Sequence, residues 1–235
     1  MAYREFGPSR RLADLVACTW ERAVPPAGVS GEARVLPDGC LDLVWRSAEL
    51  FVAGPDSRAF LSPVDPGETI VGLRFRTGTA GQVLGLPASE LRDARVPLDE
   101  LWGPELAERL GEAPDAAARR ALLEAAVHRR MAEPDPLVLA AVRRLGKPGS
   151  RVGELSDALG TSERQLLRRF NGAVGYGPKT LDRVLRFQRF LARARNGDGD
   201  SDLARTAADL GYADQAHLTR ECVRLSGLTP ARLAA

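Results

Sequence analysis

An internal repeat near the C-terminus constrains the fold of this chain more than any other feature. Residues 152–160 match residues 203–211 at a spacing of 51, and both copies end in glycine. The segments that follow match at a spacing of 52, with Arg168 opposite Arg220. The one-residue difference falls in the turn between the segments, where chain length is most easily changed. Two copies of helix, tight glycine turn and helix predict a tandem helix-turn-helix.

The second helix of the C-terminal copy has the pattern of a helix that enters a major groove. Asp214 is placed to cap a helix that begins at Gln215. Leu218, Cys222 and Leu225 then form one apolar stripe that anchors the back of this helix. The opposite side presents small, hydrogen-bonding and cationic side chains, which are the groups that contact base edges.

The segment between the two copies predicts a continuous helix. Pro178–Arg195 places proline at a helix start and contains no internal breaker. Eighteen residues at ~1.5 Å each give a rod of roughly 27 Å, which is close to the ~34 Å between successive major grooves on one duplex face. We therefore expect both second helices to dock together, with Arg183 and Arg186 of the spacer as candidate phosphate contacts.

These motifs resemble the AraC/XylS family of bacterial transcription regulators. The resemblance is carried by residues 162–170, 175–178, 211–220 and 227–230, and it covers about residues 137–233. In that family the second helix of each motif enters the groove, so the resemblance implies double-stranded DNA as the partner. The positions that it makes base-facing are Arg164, Leu167, Arg168, Gln215, Ala216, His217, Thr219 and Arg220.

Two positions depart from the family pattern. Leu167 is apolar where a polar reader is frequent, so the first reading helix either contacts a thymine methyl or only positions the protein. Cys222 stands where an aromatic core residue is usual. The stripe that it shares with Leu218 nevertheless predicts a buried position.

Charge separates the chain into two parts. Residues 1–136 carry 16 basic and 21 acidic side chains, whereas residues 137–235 carry 17 and 10. Only the C-terminal part has the electrostatics of a polyanion binder. Residues 133–136 contain two prolines and cannot continue a helix. We therefore predict an N-terminal effector or dimerisation domain over residues 1–134 and a DNA-binding domain over residues 135–235.

The N-terminal domain is predicted to be α+β, a small β-barrel or cupin-like unit with added helices, ahead of the all-α tandem helix-turn-helix domain. Short apolar stretches with Gly and Pro punctuation favour this class. The strands are expected near residues 16–22, 40–45, 50–54 and 69–76. Helices are expected in residues 8–20 ahead of the first strand, and at 80–84, 89–93, 98–110 and 115–131.

This part of the chain carries a second resemblance. Residues 36–43, 71–75, 86–91 and 96–98 are similar to an uncharacterised domain that is often fused to AraC-type modules. Such companions are usually cupin-like effector or dimerisation domains. The resemblance implies a small-molecule effector, or a second copy of the chain, as a further partner, and RNA polymerase is another candidate. An effector would bind at the mouth of the barrel.

The candidate effector-binding residues are Trp20, Asp38, Cys40, Trp45, Arg74 and Arg76. Each has a structural alternative. Asp38 precedes glycine and is first a turn residue, and the tryptophans are first core residues. Arg74 and Arg76 alternate with apolar residues, so they fit a solvated strand edge or an anion site. The cysteines fit small buried hydrophobes, with redox sensing as the alternative.

The sequence lacks the signatures of other functions. Three widely spaced cysteines and two histidines favour reduced thiols in the cytoplasm and no metal site. The chain has no apolar run long enough to span a membrane, no phosphate loop and no nucleophile elbow. We expect no enzymatic activity and no cofactor. The alternatives to an effector-controlled regulator are a ligand-independent DNA-binding or partner-binding regulator, a thiol-based redox or electrophile sensor, and an enzyme targeted to DNA.

Overall fold

The computed structural model of the chain describes residues 2–27, 30–195 and 203–234. Within these ranges an N-terminal part of strands and helices precedes a C-terminal part that contains helices and no strand. This order confirms the predicted fold class.

The described N-terminal residues form eight strands: β1 (Ala2–Phe6), β2 (Val16–Ala23), β3 (Gly31–Val35), β4 (Asp42–Arg46), β5 (Glu49–Ala53), β6 (Phe60–Val64), β7 (Thr69–Phe75) and β8 (Arg95–Pro97). Six of them form one antiparallel sheet in the order β1-β2-β7-β4-β5-β8. The other two, β3 and β6, pair in a separate antiparallel ribbon.

The helices in the described ranges are α1 (Ala80–Leu84), α2 (Asp99–Trp102), α3 (Glu105–Glu112), α4 (Ala116–His128), α5 (Pro136–Leu145), α6 (Leu155–Ala158), α7 (Glu163–Val174), α8 (Pro178–Arg195), α9 (Leu203–Asp209), α10 (Gln215–Ser226) and α11 (Pro230–Ala234). None of them combines the length and the apolar character that crossing a lipid bilayer would require.

The two faces of the six-stranded sheet have different surroundings. Val71, Leu73 and Phe75 of β7 are fully buried on one face, as predicted, in a core that includes residues of α1, α3 and α4. The opposite face carries Trp20 and Arg74 and is covered by the β3–β6 ribbon and the last turns of α8. A cavity of about 530 Å³ lies between these elements.

Several predicted elements of the N-terminal part need correction. The helix expected over residues 98–110 is two helices, because Gly103, with a φ of 81°, and Pro104 interrupt it. The helix expected in residues 8–20 is reduced to a single 3-10 turn at Arg10–Leu12, because β2 already starts at Val16. The segment at 89–93 is likewise a 3-10 turn, at Ala88–Glu90. The strands β1, β3, β6 and β8 were not predicted.

The internal repeat is confirmed by equivalent caps in the two motifs. Ser162 caps α7 by accepting the N–H of Gln165 at 3.3 Å, and Asp214 caps α10 by accepting the N–H of His217 at 2.6 Å. Both helices end in a left-handed glycine. Both are followed by a helix with proline as its first residue, and the predicted spacer helix is α8.

The N-terminal part contacts the C-terminal ends of both second helices. Arg34 of β3 donates from Nη1 to the carbonyl of Ser226 at 2.8 Å. The N–H of Ala59 donates to the neighbouring carbonyl of Leu225 at 2.7 Å. In the first motif, Gly175 at the end of α7 lies against Pro55 and the backbone of Ala88, without room for a side chain. The N-terminal part thus holds the ends of α7 and α10.

The segment expected to be the linker is anchored by Asp135. Its carboxylate caps α5 by accepting the N–H groups of Leu137 at 2.9 Å and Val138 at 3.3 Å. Arg169 of α7 donates from Nε to the same carboxylate at 2.6 Å. Burial opposes ionisation of Asp135, but these donors together hold its pKa below the ordinary value. Asp135 therefore connects the start of α5 to α7, the second helix of the first motif.

Candidate nucleic-acid interface

The first candidate reading helix, α7, has a buried back and an open front. Leu166, Phe170 and Val174 are buried in the core of the helical part. On the other side, Arg164 and Arg168 are exposed, together with Leu167, whose residue surface is 48% accessible. The three predicted base-facing residues therefore share one accessible face.

The second candidate reading helix, α10, repeats this arrangement. Leu218, Cys222 and Leu225 are buried, which confirms the predicted stripe. The remaining predicted base-facing residues lie on the front or at its edges: Gln215, Ala216 and Arg220 are exposed, and His217 and Thr219 are half-buried.

His217 has a structural role that the sequence did not reveal. Its Nδ1 accepts the backbone N–H of Ala213 at 3.2 Å, and its ring meets the edge of Tyr212 with centroids 5.4 Å apart. Because Nδ1 is used as an acceptor, the neutral ring carries its proton on Nε2. The imidazole is therefore held in one orientation by the turn that precedes α10.

Arg183 and Arg186 of α8 contact other parts of the protein. Arg186 donates from Nη1 to the carbonyl of Gly211 at 2.9 Å, pairs with Asp182 at 2.9 Å and lies over the ring of Tyr212. Arg183 lies 4.0 Å from Glu221 of α10. These contacts join α8 to the second motif. The expectation that Arg183 and Arg186 contact phosphate stays a prediction, although both side chains already have protein partners.

We expect Arg186→Met to lower the free energy of unfolding by ~1–3 kcal/mol, because it removes the hydrogen bond to Gly211 and a half-buried ion pair with Asp182. The slope of log affinity for DNA against log salt should stay unchanged, since no phosphate contact is lost. Thermal unfolding and DNA titrations at several salt concentrations measure the two effects. A slope reduced by about 1 with unchanged stability would instead make Arg186 a phosphate contact.

The arginines of the reading faces differ from those of α8. Arg164, Arg168 and Arg220 make no ion pair and no side-chain hydrogen bond within the described residues. In the same α7, Arg169 points away from this face and binds Asp135. The two helices therefore expose unpaired guanidinium groups on the faces where the sequence predicted base contacts.

Cys222 is completely buried, and burial raises the pKa of its thiol to about 12. We expect Cys222→Ser to lower the free energy of unfolding by ~1–3 kcal/mol, because a hydroxyl replaces a thiol in an apolar environment. Iodoacetamide should alkylate native Cys222 far more slowly than the same residue in guanidinium-unfolded protein. Rapid native labelling with loss of DNA binding would contradict this result and favour the electrophile sensor.

The structure brings together three of the six predicted effector-site residues. Trp20, Asp38 and Arg74 line the cavity between the sheet, the ribbon and α8. Arg74 donates from Nε to Asp42 at 3.1 Å and lies 3.3 Å from Asp38. Asp42 also accepts the indole N–H of Trp20 at 2.9 Å. The turn interpretation of Asp38 agrees with its other contact, the N–H of Cys40 at 2.9 Å.

The other three residues lie elsewhere. Trp45 is buried on the opposite face of the sheet, in the core shared with the helices. Arg76 donates from Nε to the carbonyl of Ala13 at 2.7 Å. Cys40 lies 3.8 Å from the hydroxyl of Thr77, and burial raises its thiol pKa well above the ordinary value. None of these three lines the cavity.

Both parts of the chain match known protein families. Residues 155–235 match a family described as a helix-turn-helix domain, and residues 4–97 match a domain of unknown function (DUF6597). A Streptomyces lividans protein that is named an AraC-like transcription regulator is 31% identical over 99 residues, which are 41% of this chain. The aligned region spans 32% of that relative.

Solved structures of ToxT from Vibrio cholerae are also similar. One has a TM-score of 0.44 at 8% identity and covers 92% of this chain and 95% of its own. Another has a TM-score of 0.45 at 10% identity and covers 100% of this chain and 98% of its own.

Proposed function

We propose that the chain is an AraC-type helix-turn-helix protein and a bacterial transcription regulator that binds specific sequences in double-stranded DNA. Its binding energy would come mainly from arginine–phosphate contacts, and its sequence discrimination from α7 and α10.

The observation that carries this proposal is the division of the arginines into two groups. Arg186 of α8 binds a carbonyl and a carboxylate of the protein. Arg183 donates to the hydroxyl of Thr180 at 3.3 Å and lies 4.0 Å from Glu221. Arg164, Arg168 and Arg220 are exposed on the reading faces and have no such partners in the described ranges. A guanidinium that is not used internally can bind phosphate, or guanine O6 and N7 together.

The spacing of the two motifs supports simultaneous docking. The α8 rod contains 18 residues, which corresponds to roughly 27 Å at ~1.5 Å per residue. Arg186 and Arg193 tie this rod to the second motif, through Gly211 and Asp209. Such a braced spacer would keep α7 and α10 about one helical turn of DNA apart.

Regulation through the N-terminal part is the second element of the proposal. The hydrogen bonds to Ser226 and Leu225, and the packing at Gly175, connect this part to the ends of both reading helices. A small molecule that changes the N-terminal part could therefore alter their relative position. A second copy of the chain, or RNA polymerase, would alter the same contacts by binding at the protein surface.

We also propose that residues 135–235 form a separate DNA-binding domain. A fragment that starts at Glu133 keeps Asp135 and its cap on α5. It should fold and bind the same DNA as the full chain, with lower stability because the apolar surface under the N-terminal part becomes exposed. Circular dichroism and DNA titration test this. An unfolded fragment, or a folded one that does not bind DNA, would contradict the two-domain organisation.

The function itself is tested by footprinting the purified full-length protein on fragmented genomic DNA. We expect a small set of protected sites that share two short motifs about one helical turn apart. If the protein bound all fragments equally, it would be a non-specific DNA-binding protein. The absence of binding at low salt would contradict the proposal.

A further inference from the structure

We infer that the cavity between the sheet, the ribbon and α8 binds a small organic anion, with Arg22 as its main contact. This inference names the effector class of the regulator proposed above. The cavity volume of about 530 Å³ is in the range of small-molecule sites, roughly 300–1,000 Å³.

The floor of the cavity is apolar and aromatic. The indole of Trp20 lies directly over Gly72, where any side chain would overlap the ring. Its N–H donates to Asp42 at 2.9 Å, so the ring is fixed by a hydrogen bond as well as by packing. Val44 and Ile70 extend the apolar surface on either side. A ligand on this floor therefore has an apolar body.

Three of the six arginines that line the cavity already have carboxylate partners. Arg46 pairs with Glu68 at 2.8 Å, and Arg95 pairs with Asp56 at 2.7 Å. Arg74 is surrounded by carboxylates, with Asp42 the nearest at 3.1 Å. These arginines are structural, and the carboxylates around Arg74 would repel an anion at that end of the cavity.

Arg22 is different. It has no carboxylate partner in the described ranges, its buried Nε has no hydrogen-bond acceptor, and its guanidinium lies 5.7 Å from the ring centre of Tyr3. Burying a donor without an acceptor costs free energy. The buried Nε of Arg22 therefore indicates that a bound ligand supplies the acceptor. Along β2, Arg22 is four residues from Cys18, the register partner of Arg74. That is about 13 Å at ~3.3 Å per residue, so the anion would lie well away from the acidic end.

Arg34 connects this site to the DNA-binding helices. It lines the cavity and also donates to the Ser226 carbonyl at the end of α10. Gln188 and Leu191 of α8 line the same cavity, and Gln188 donates to the carbonyl of Pro37 at 2.5 Å. An anion that reached Arg34 would compete with Ser226 for its guanidinium. A ligand in the cavity would thereby change the hydrogen-bonded contact between the β3–β6 ribbon and α10.

The test begins with the protein free of DNA, so that its result does not depend on the DNA-binding proposal. The probes are 3-phenylpropionate, its uncharged amide 3-phenylpropanamide, and inorganic phosphate, titrated into the full chain by calorimetry. We expect 3-phenylpropionate to bind at least ~10-fold more tightly than the amide, a ratio that corresponds to 1.4 kcal/mol. Phosphate should bind more weakly than 3-phenylpropionate, because it lacks the apolar body.

Two matched variants then test whether Arg22 is the residue that contacts the anion. Arg22→Met keeps the aliphatic stem and removes the charge. It should abolish the preference for the carboxylate, while the melting temperature of the ligand-free protein stays equal or rises. Arg46→Met, on the same face of the sheet, loses the bonds to Glu68 and Ser62 and should lower the melting temperature. The inference is overturned if neither anion binds, if the carboxylate and the amide bind equally, or if Arg22→Met destabilises the protein as Arg46→Met does.

Discussion

Replacing Gly175 by alanine is expected to lower the free energy of unfolding by roughly 2–4 kcal/mol. Gly175 ends α7 with a φ of 93°, where a side chain costs about 1–2 kcal/mol. A Cβ at this position would also overlap Pro55 and lie 2.9 Å from the carbonyl oxygen of Ala88. Because the latter is a backbone atom and cannot move aside cheaply, overpacking adds about 1–3 kcal/mol.

The repeat supplies a matched control for this substitution. Gly227 ends α10 in the same left-handed conformation, with a φ of 74°, but a Cβ there meets only the flexible end of Arg34 at 3.3 Å. Gly227→Ala should therefore cost about 1–2 kcal/mol, the conformational part alone. Chemical denaturation of both variants measures the difference. Equal losses would mean that the contact of Gly175 with the N-terminal part contributes nothing.

The helical part of the chain could be predicted because its signals are local. Ser162 and Asp214 cap helices that begin at the next residue, and the stripe of Leu218 and Cys222 repeats within two turns of one helix. Capping and periodicity depend on neighbours a few residues away. The bounds of α8 and the start of α10 followed from these signals, and the repeat supported the assignment of α10 through its match with α7.

The contacts of the linker arginines could not be predicted in this way. Periodicity places Arg186 on the polar side of α8, and a polar side facing solvent has the same pattern as one facing another motif. The partner of Arg186 is the carbonyl of Gly211, 25 positions away. Every residue has a backbone carbonyl, so the sequence does not indicate which carbonyl accepts a hydrogen bond. Tertiary packing therefore decides which arginines remain available for DNA.

The cavity was only partly predictable, for a related reason. Trp20 and Arg74 belong to strands that the sequence indicated, and both line the cavity. Arg34 belongs to the ribbon, whose strands are short and largely exposed, so they lack the alternation that marks a half-buried strand. The hydrogen bond from Arg34 to Ser226 joins residues 192 positions apart. No pattern within a sequence window reports such a contact.

Arg220→Ala is expected to weaken binding to the cognate duplex by ~1–3 kcal/mol, or roughly 5- to 150-fold, and to relax the preference at one base pair. Arg220 is exposed on the front of α10, near Gln215 and His217, and it has no partner in the described part of the chain. An arginine in this position can donate to guanine O6 and N7 together. Stability should change by less than about 0.5 kcal/mol, because no internal contact is lost.

Arg168 is the equivalent position in α7 and provides the internal comparison. Its neighbour Leu167 is an exposed apolar residue, which offers a thymine methyl contact but no hydrogen bond. Arg168→Ala therefore distinguishes two roles for the first reading helix. A loss confined to the cognate duplex makes α7 a base reader. An equal loss on cognate and scrambled duplexes, with the salt slope reduced by about 1, makes α7 a phosphate anchor.

The decisive measurement is a titration of the wild-type protein and both variants on cognate and scrambled duplexes at several salt concentrations. Arg186→Met serves as the structural control, since its guanidinium is bound to Gly211 and Asp182. The ratio of cognate to scrambled affinity should fall for Arg220→Ala and stay constant for Arg186→Met. If Arg220→Ala weakens both duplexes equally, Arg220 binds the DNA backbone. Sequence discrimination by α10 would then have to come from Gln215, His217 or Thr219.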